Sequence, residues 1–336
     1  MKTTRFNGLL FCICMFFCAL SMVNARPQSE IEMLSKDTQE YFVIKEPFFL
    51  HSKKGIKYKI FIAHTKDLGD SKNSAIPYRT LFVLDGNAQF PMALNVYTKE
   101  FVKKQKGSNV SLLKMPLLIV GVGYEGEKPY DMPSRTRDFL QKLTPKDLSI
   151  APQNISKKPE SINKDSLQNY NQSKNTEYVH EGNTINGIKS RNEVLFETIQ
   201  NYSGGQENFY NFLSHELTPF LQKSYAIDFE HFGIFGHSFG GLFVLSVLSQ
   251  EVQIFSHYFS ASPSIWIFQT PQPLQIPDSK RVVISVGERE NVAILKNYVA
   301  LQKASDFLSF FVIPNVGHGG SIKPSLRQAF LLGEKK

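Results

Sequence analysis

The stretch His231-Phe232-Gly233-Ile234-Phe235-Gly236-His237-Ser238-Phe239-Gly240-Gly241 decides how this chain is read. It contains G-x-S-x-G as Gly236, Ser238 and Gly240, with an apolar strand-like run before it and an apolar helix-like run after it. A serine on a tight strand-to-helix turn projects its hydroxyl from the sheet. Flanking glycines let neighbouring backbone approach without a Cβ in the way, and the helix start aims N–H groups at a developing oxyanion. Five residues alone are a weak signal; strand and helix in this order make it specific. Ser238 is therefore the candidate nucleophile. His237 beside it is expected to pack against the sheet, because side chains diverge on such a turn.

Short apolar runs recur on both sides of this segment: Leu81 to Leu84, Leu117 to Val120, Gly233 to Phe235, Val282 to Val286 and Phe310 to Ile313. They suit buried parallel strands. Tyr58 to Ile62 alternates and reads as an early, half-exposed strand. Helical spacing falls between them, over Phe209 to Leu221 with a kink or restart expected at Pro219, over Gly240 to Leu248, and over Pro324 to Leu332. Alternating strands and helices predict an α/β architecture with a mostly parallel central sheet and helices on both faces. One stretch interrupts it: about 142–203 is rich in Asn, Ser, Lys and Gln and reads as a polar insertion over the sheet, disordered in part.

In a nucleophile-elbow fold the partners follow in the order serine, acid, histidine. His318 lies in the Gly-rich run Asn315-Val316-Gly317-His318-Gly319-Gly320, after the last predicted strand; the other histidines all precede that strand. His318 is the candidate base. The acid is expected after the preceding strand, where Glu290 stands three residues beyond Gly287, with Glu288 as the alternative. Oxyanion donors are expected from the backbone of Phe239 and from the loop Asp85-Gly86-Asn87, with Asn87 favoured over Gly86.

The chain has 336 residues, 42% hydrophobic, enough for one large core. Lys2, Arg5 and the apolar run Leu9 to Val23 read as a signal peptide over residues 1–25, followed by a single domain over 26–336 that opens with a polar, mobile lead-in to about residue 40. The run is shorter than the about 20 residues that span a bilayer, so no stable membrane span is expected in the mature chain. The protein is expected to be exported, to a periplasm or beyond. All 3 cysteines lie in the leader, which excludes thiol chemistry and cysteine zinc sites from the mature chain. No metal or organic cofactor is expected. The formal charge of +8 favours anionic partners, but no basic stripe or nucleic-acid module stands out.

LFVLDGNAQF, VGVGYEGEKPYDMPSRTRDF, GIFGHSFGGLFVLSVL, YFSASPSIW and NVGHGGSIKPSLRQAF together resemble the putative-esterase family of α/β-hydrolases, which includes the siderophore trilactone esterases for salmochelin, enterobactin and ferri-bacillibactin. The resemblance runs from about Phe42 to Leu332, broken by the insertion. It implies the α/β-hydrolase fold and a cofactor-free ester hydrolase, and it matches Ser238 and His318 to the family's nucleophile and base. Arg135 and Asp138 of RTRDF match a segment that lines the site in siderophore-cleaving members, where an arginine can pair with catecholate oxygens; a structural Arg–Asp pair is the alternative, and Trp266 is read either as an aromatic wall or as core packing. Two departures stand out: the periplasmic salmochelin esterase resembles a Ser-His dyad enzyme, whereas acidic candidates stand here, and the long polar insertion is not typical.

The expected partner is a small-molecule ester, a ferric siderophore being the specific candidate. A general carboxylesterase or thioesterase is the alternative, and a non-catalytic binding protein on a hydrolase scaffold is a third reading. Oligomeric state is not legible.

Overall fold

The computed structural model describes residues 30–66, 76–103, 116–150, 191–250, 252–270, 276–292 apart from 278, then 295, 296 and 299, and 307–332. The expected signal peptide lies outside the described residues. Among them no helix is long and apolar enough to cross a membrane.

The strands are β1 Phe42–Ile44, β2 Phe48–His51, β3 Lys57–Thr65, β4 Tyr78–Leu84, β5 Leu117–Gly123, β6 Ile227–His237, β7 His257–Ala261, β8 Arg281–Gly287 and β9 Leu308–Ile313. They form one sheet in the order β1-β3-β5-β4-β6-β7-β8-β9, with β2 also pairing β3. From β5 to β9 every pairing is parallel; β3 joins β5 antiparallel, as β1 and β2 join β3. The helices used below are α1 Lys36–Tyr41, α2 Gly86–Tyr97, α3 Met132–Phe139, α4 Arg191–Tyr202, α5 Gln206–Phe212, α6 Thr218–Gln222, α7 Phe239–Ser246 and α8 Ile322–Leu332.

Strand alternation divides the core between the two faces. Phe82, Leu84, Leu118, Val120, Phe232, Ile234, Val282 and Ile284 pack on one side, with Phe139, Phe209, Phe212 and Phe243. Leu81, Val83, Leu117, Ile119, Phe235, Phe259 and Val283 pack on the other, with α2 and α8. Each buried side chain of this size contributes about 1.5–3 kcal/mol. Because both faces are covered, the central strands carry continuous apolar runs, and these are the runs the sequence exposed.

β7 was not among the expected strands. His257 and Ser260 break its apolar pattern, yet both are buried and bonded: Ser260 Oγ donates to the Gly241 carbonyl at 2.9 Å, and His257 Nδ1 lies 2.9 Å from Ser256 Oγ. Pro219 does restart its helix: α5 passes through a π-helical turn, Leu213–Leu217, into α6.

Two expectations are corrected. The lead-in is not loose in its described part. Ser35 caps α1 by accepting from Thr38 N at 3.2 Å, and Asn95 of α2 clamps the segment. The Asn95 amide oxygen accepts from Ser35 N at 3.0 Å and from Thr38 Oγ1 at 2.9 Å, and its nitrogen donates to Glu32 and to the Met33 carbonyl, both at 2.9 Å. The polar insertion has packed ends. Leu143, Leu148 and Ile150 are buried at its start, and at its end α4 buries Ile199 and seats Leu195 and Phe196 against the core. Apolar residues at helical spacing, diluted by polar neighbours, account for that helix. Residues 151–190 lie outside the described residues.

Asn95→Ala removes four hydrogen bonds that hold the N-terminal segment to α2. It should lower unfolding stability by about 1–3 kcal/mol in urea titration and leave catalytic turnover unchanged.

Candidate active site

The parallel strands carry the site at their carboxyl ends, where open α/β sheets place their ligand crevices. Ser238 follows β6 with φ 61° and ψ −117°, a conformation that costs a non-glycine residue about 1–3 kcal/mol. Its N–H donates to the Ala261 carbonyl of β7 at 3.0 Å, and its carbonyl accepts from Leu242 N at 3.0 Å, the first helical bond of α7. A Cβ on Gly236 would overlap the Gly240 carbonyl, so strand and helix cross here at backbone contact. The Ser238 hydroxyl lies 3.0 Å from Ser264 Oγ, in the loop after β7. No hydrogen bond joins it to His318 in this conformation.

His318 follows β9. Its Nδ1 lies 2.6 Å from Glu290 Oε2. Glu290 Oε1 accepts from Ser262 Oγ at 2.6 Å and from Gly287 N at 2.8 Å. Burial alone would push the Glu290 carboxyl up. The hydrogen bond and charge of His318, then Ser262 and the Gly287 N–H, outweigh it and hold the group below the usual carboxylate range. An ionised carboxylate only accepts, so His318 Nδ1 carries the hydrogen and Nε2 is left with its lone pair. Glu288 goes elsewhere: its Oε2 accepts from Asn315 N at 2.8 Å and holds the loop before His318.

His237 is buried, as expected, and has a definite contact. Its Nε2 lies 2.8 Å from the His318 carbonyl, which can only accept, so Nε2 donates. The two rings sit 4.5 Å apart. Burial first, then the neighbouring His318, pushes the His237 imidazole well below its ordinary value, so it stays neutral beside the base.

On the other side of Ser238, Gly86 and Asn87 are the first two residues of α2, and Phe239 is the first of α7. First-turn N–H groups have no carbonyl within their own helix. The Asn87 side chain does not face a ligand. Its amide bridges the end of β5, donating to the Tyr124 carbonyl at 3.0 Å and accepting from Tyr124 N at 2.9 Å. That fit requires glycine at 123, where any Cβ would overlap the Asn87 amide.

Arg135 and Asp138 are both held in ion pairs, though not with one another. Arg135 is 5% exposed, and its fork is taken by Asp85: Nε to Oδ1 at 3.0 Å and Nη2 to Oδ2 at 2.9 Å. The guanidinium also lies 5.5 Å from the ring centres of Phe139 and Phe239. Asp138 is wholly buried and paired bidentately with Arg137 at 2.7 and 2.9 Å. In this geometry both residues brace the site from behind rather than line it, because a buried charge needs its counter-charge. Trp266, by contrast, is 42% exposed two residues beyond Ser264. Ser149, at the start of the polar insertion, ties to this segment: its N–H donates to the Ile267 carbonyl at 2.8 Å and its hydroxyl to the Trp266 carbonyl at 2.6 Å.

Ser262, Ser264 and Ser321 escaped the sequence reading. Serines are common and these follow no spacing rule; the one available signal was their place after a strand of the sheet. Among the described residues no cluster of three or more His, Cys, Asp or Glu is placed to hold a metal ion.

Residues 178–302 match the model of the family described as Putative esterase, a span that includes Ser238 and Glu290. The apo-salmochelin esterase of Escherichia coli O6:H1 (strain CFT073) is 28% identical over 275 residues, covering 76% of this chain and 69% of that protein. The chain is similar to esterases of this family over most of its length. The ferri-bacillibactin esterase BesA of Bacillus subtilis (strain 168) is 29% identical over 212 residues, which cover 62% of this chain and about half, 54%, of BesA. The solved structure of the BES protein from Bacillus cereus superposes with a TM-score of 0.57 at 23% identity, over 91% of this chain and 99% of that one. The siderophore hydrolase EstB from Aspergillus nidulans gives 0.54 at 18% identity, over 86% and 93%. These superpositions share the α/β-hydrolase fold with this esterase.

Arg135→Ala would leave Asp85 charged, buried and unpaired. It should cost about 3–5 kcal/mol of folding stability, read from chemical denaturation, where a ligand-facing arginine would leave stability unchanged. Glu290→Gln should lower kcat more than Glu288→Gln, because Glu290 alone reaches the imidazole; the reverse ranking in steady-state kinetics would overturn the assignment.

Proposed function

We propose that this esterase works through Ser238, His318 and Glu290 on the ester bonds of a siderophore. The observation that carries the mechanism is the 2.6 Å contact from Glu290 to His318 Nδ1, which turns the Nε2 lone pair into the free base of a site whose serine stands on a strained elbow. As the ester enters, a rotation about the Ser238 Cα–Cβ bond moves Oγ from Ser264 toward His318. Nε2 takes the hydroxyl proton while Oγ bonds to the ester carbonyl carbon. The oxyanion is held by the N–H of Phe239 and by that of Asn87 or Gly86. His318 then gives its proton to the departing alkoxide, leaving an acyl-enzyme. Water repeats the sequence: its proton goes to Nε2, its oxygen to the carbonyl carbon, and Ser238 leaves with the proton restored. Glu290 keeps the imidazole tautomer and stabilises the imidazolium throughout.

The siderophore class rests on the relatives, named for salmochelin and bacillibactin, and on the positive charge of the chain. The leader-like N-terminus supports export to the compartment through which such ligands pass. One observation favours a second reading, a general carboxylesterase: Arg135, matched by resemblance to catecholate recognition, is already bound to Asp85. Trp266, exposed two residues beyond Ser264, then remains as a group that can contact substrate.

Ser238→Ala should remove labelling by a fluorophosphonate probe and lower kcat by about three orders of magnitude or more in a folded protein; labelling of the variant would exclude Ser238. Comparison of kcat/KM on a tris-catecholate trilactone, with and without iron, and on p-nitrophenyl butyrate separates the two readings. Preference for the trilactone is expected, and its absence leaves the general esterase.

A further inference from the structure

Ser262 follows β7 and makes no hydrogen bond to Ser238, yet it is tied to both other members of the proposed triad. Its hydroxyl reaches Glu290 Oε1 at 2.6 Å. It also lies 2.7 Å from Ser321 Oγ, and Ser321 Oγ lies 2.7 Å from the carbonyl of His318. The residue is almost wholly buried and has φ 43°, in the left-handed region that a residue with a Cβ disfavours. Its backbone is separately satisfied: the N–H donates to the Ser285 carbonyl at 2.7 Å. The turn therefore does not need the hydroxyl.

We propose that Ser262 is a positioning residue that sets the carboxylate of Glu290 for catalysis; this rests on the triad of the preceding section. A carboxylate on a rotatable side chain can offer either oxygen to the imidazole, and at other angles neither. Here one oxygen is held by two donors, the Ser262 hydroxyl and the Gly287 N–H, and this leaves Oε2 for His318 Nδ1. The second donor has a further effect. Glu290 is largely buried, and an ionised carboxylate is stable there only while its lone pairs are occupied. Because the Ser262 hydrogen goes to Glu290, its oxygen is free to accept from Ser321. Ser321's single hydrogen is then shared between Ser262 Oγ and the His318 carbonyl, which His237 Nε2 also serves as donor. Acid, base loop and the strand end at Ser262 thus form one hydrogen-bonded ring, and Ser262 is where the ring meets the carboxylate.

Left-handed strain makes two substitutions informative together. Ser262→Ala and Ser262→Gly both delete the hydroxyl, but only glycine relieves the backbone. The Gly variant should be the more stable in thermal unfolding. Both should lose about ten-fold in kcat on p-nitrophenyl butyrate with KM unchanged, the scale of one hydrogen bond to a charged group. Wild-type kcat in either folded variant overturns the proposal. So does a kcat that follows thermal stability, with the loss confined to Ala, or a loss that falls on KM. Fluorophosphonate labelling of the wild type is the control: a wild type that resists labelling overturns the triad and this role together, whereas a labelled wild type with unaffected variants overturns the role of Ser262 alone.

Discussion

The structure turns on the backbone crossing at Gly236 and Gly240. The strand end and the start of α7 touch there with no space for a side chain. The crossing forces Ser238 into a positive φ and lifts its hydroxyl above the sheet edge. The strain does not stand alone. Among the described residues the non-glycine positive-φ positions are Asp85, Ser238, Ser262 and Asn315. They follow β4, β6, β7 and β9, and each lies in a loop that supplies or supports the site. About 1–3 kcal/mol at each is sustained by the packed sheet beneath. A flexible loop would relax these angles and scatter the groups they aim.

Charge is handled by the same logic. The site buries two carboxylates that could each destabilise the fold, Asp85 and Glu290. Asp85 is matched by the fixed charge of Arg135, which makes a rigid brace between the loop after β4 and α3. Glu290 is matched by the imidazole of His318, which in the proposed mechanism takes and returns a proton, with the Ser262 hydroxyl and a backbone N–H as constant donors. A permanent cation in place of His318 would hold the carboxylate as well but could not accept a proton from serine. His237 completes the arrangement by staying neutral, so it ties down the His318 backbone without adding a second positive charge next to the imidazolium.

The loop after β7 carries Ser264 against the nucleophile and then Trp266 toward solvent, and the start of the polar insertion is laced onto it through Ser149. The described ends of the insertion pack on the same core as the strands that carry Ser238 and Glu290.

Much of this was legible in the chain itself. Continuous apolar runs fixed the parallel strands, because a strand covered on both faces has no polar side to show. G-x-S-x-G between strand and helix marked Ser238, and chain order pointed to His318 and the Gly287–Glu290 turn, since both are local properties. Glu290 and Glu288 remained open in sequence because two carboxylates two residues apart differ only in direction, and direction was decided by Ser262, Gly287 and Asn315 from three different loops. The partner of Arg135 stayed hidden for a related reason. A charged residue in a site-lining motif says nothing about which carboxylate awaits it, and Asp85 is fifty residues away along the chain. The lead-in and the ends of the insertion looked loose because their anchors, Asn95 and the aromatic core, belong to other elements. Local pattern determined which groups this protein possesses; the partner each one meets depends on contacts between distant segments, and only the packed sheet brings those together.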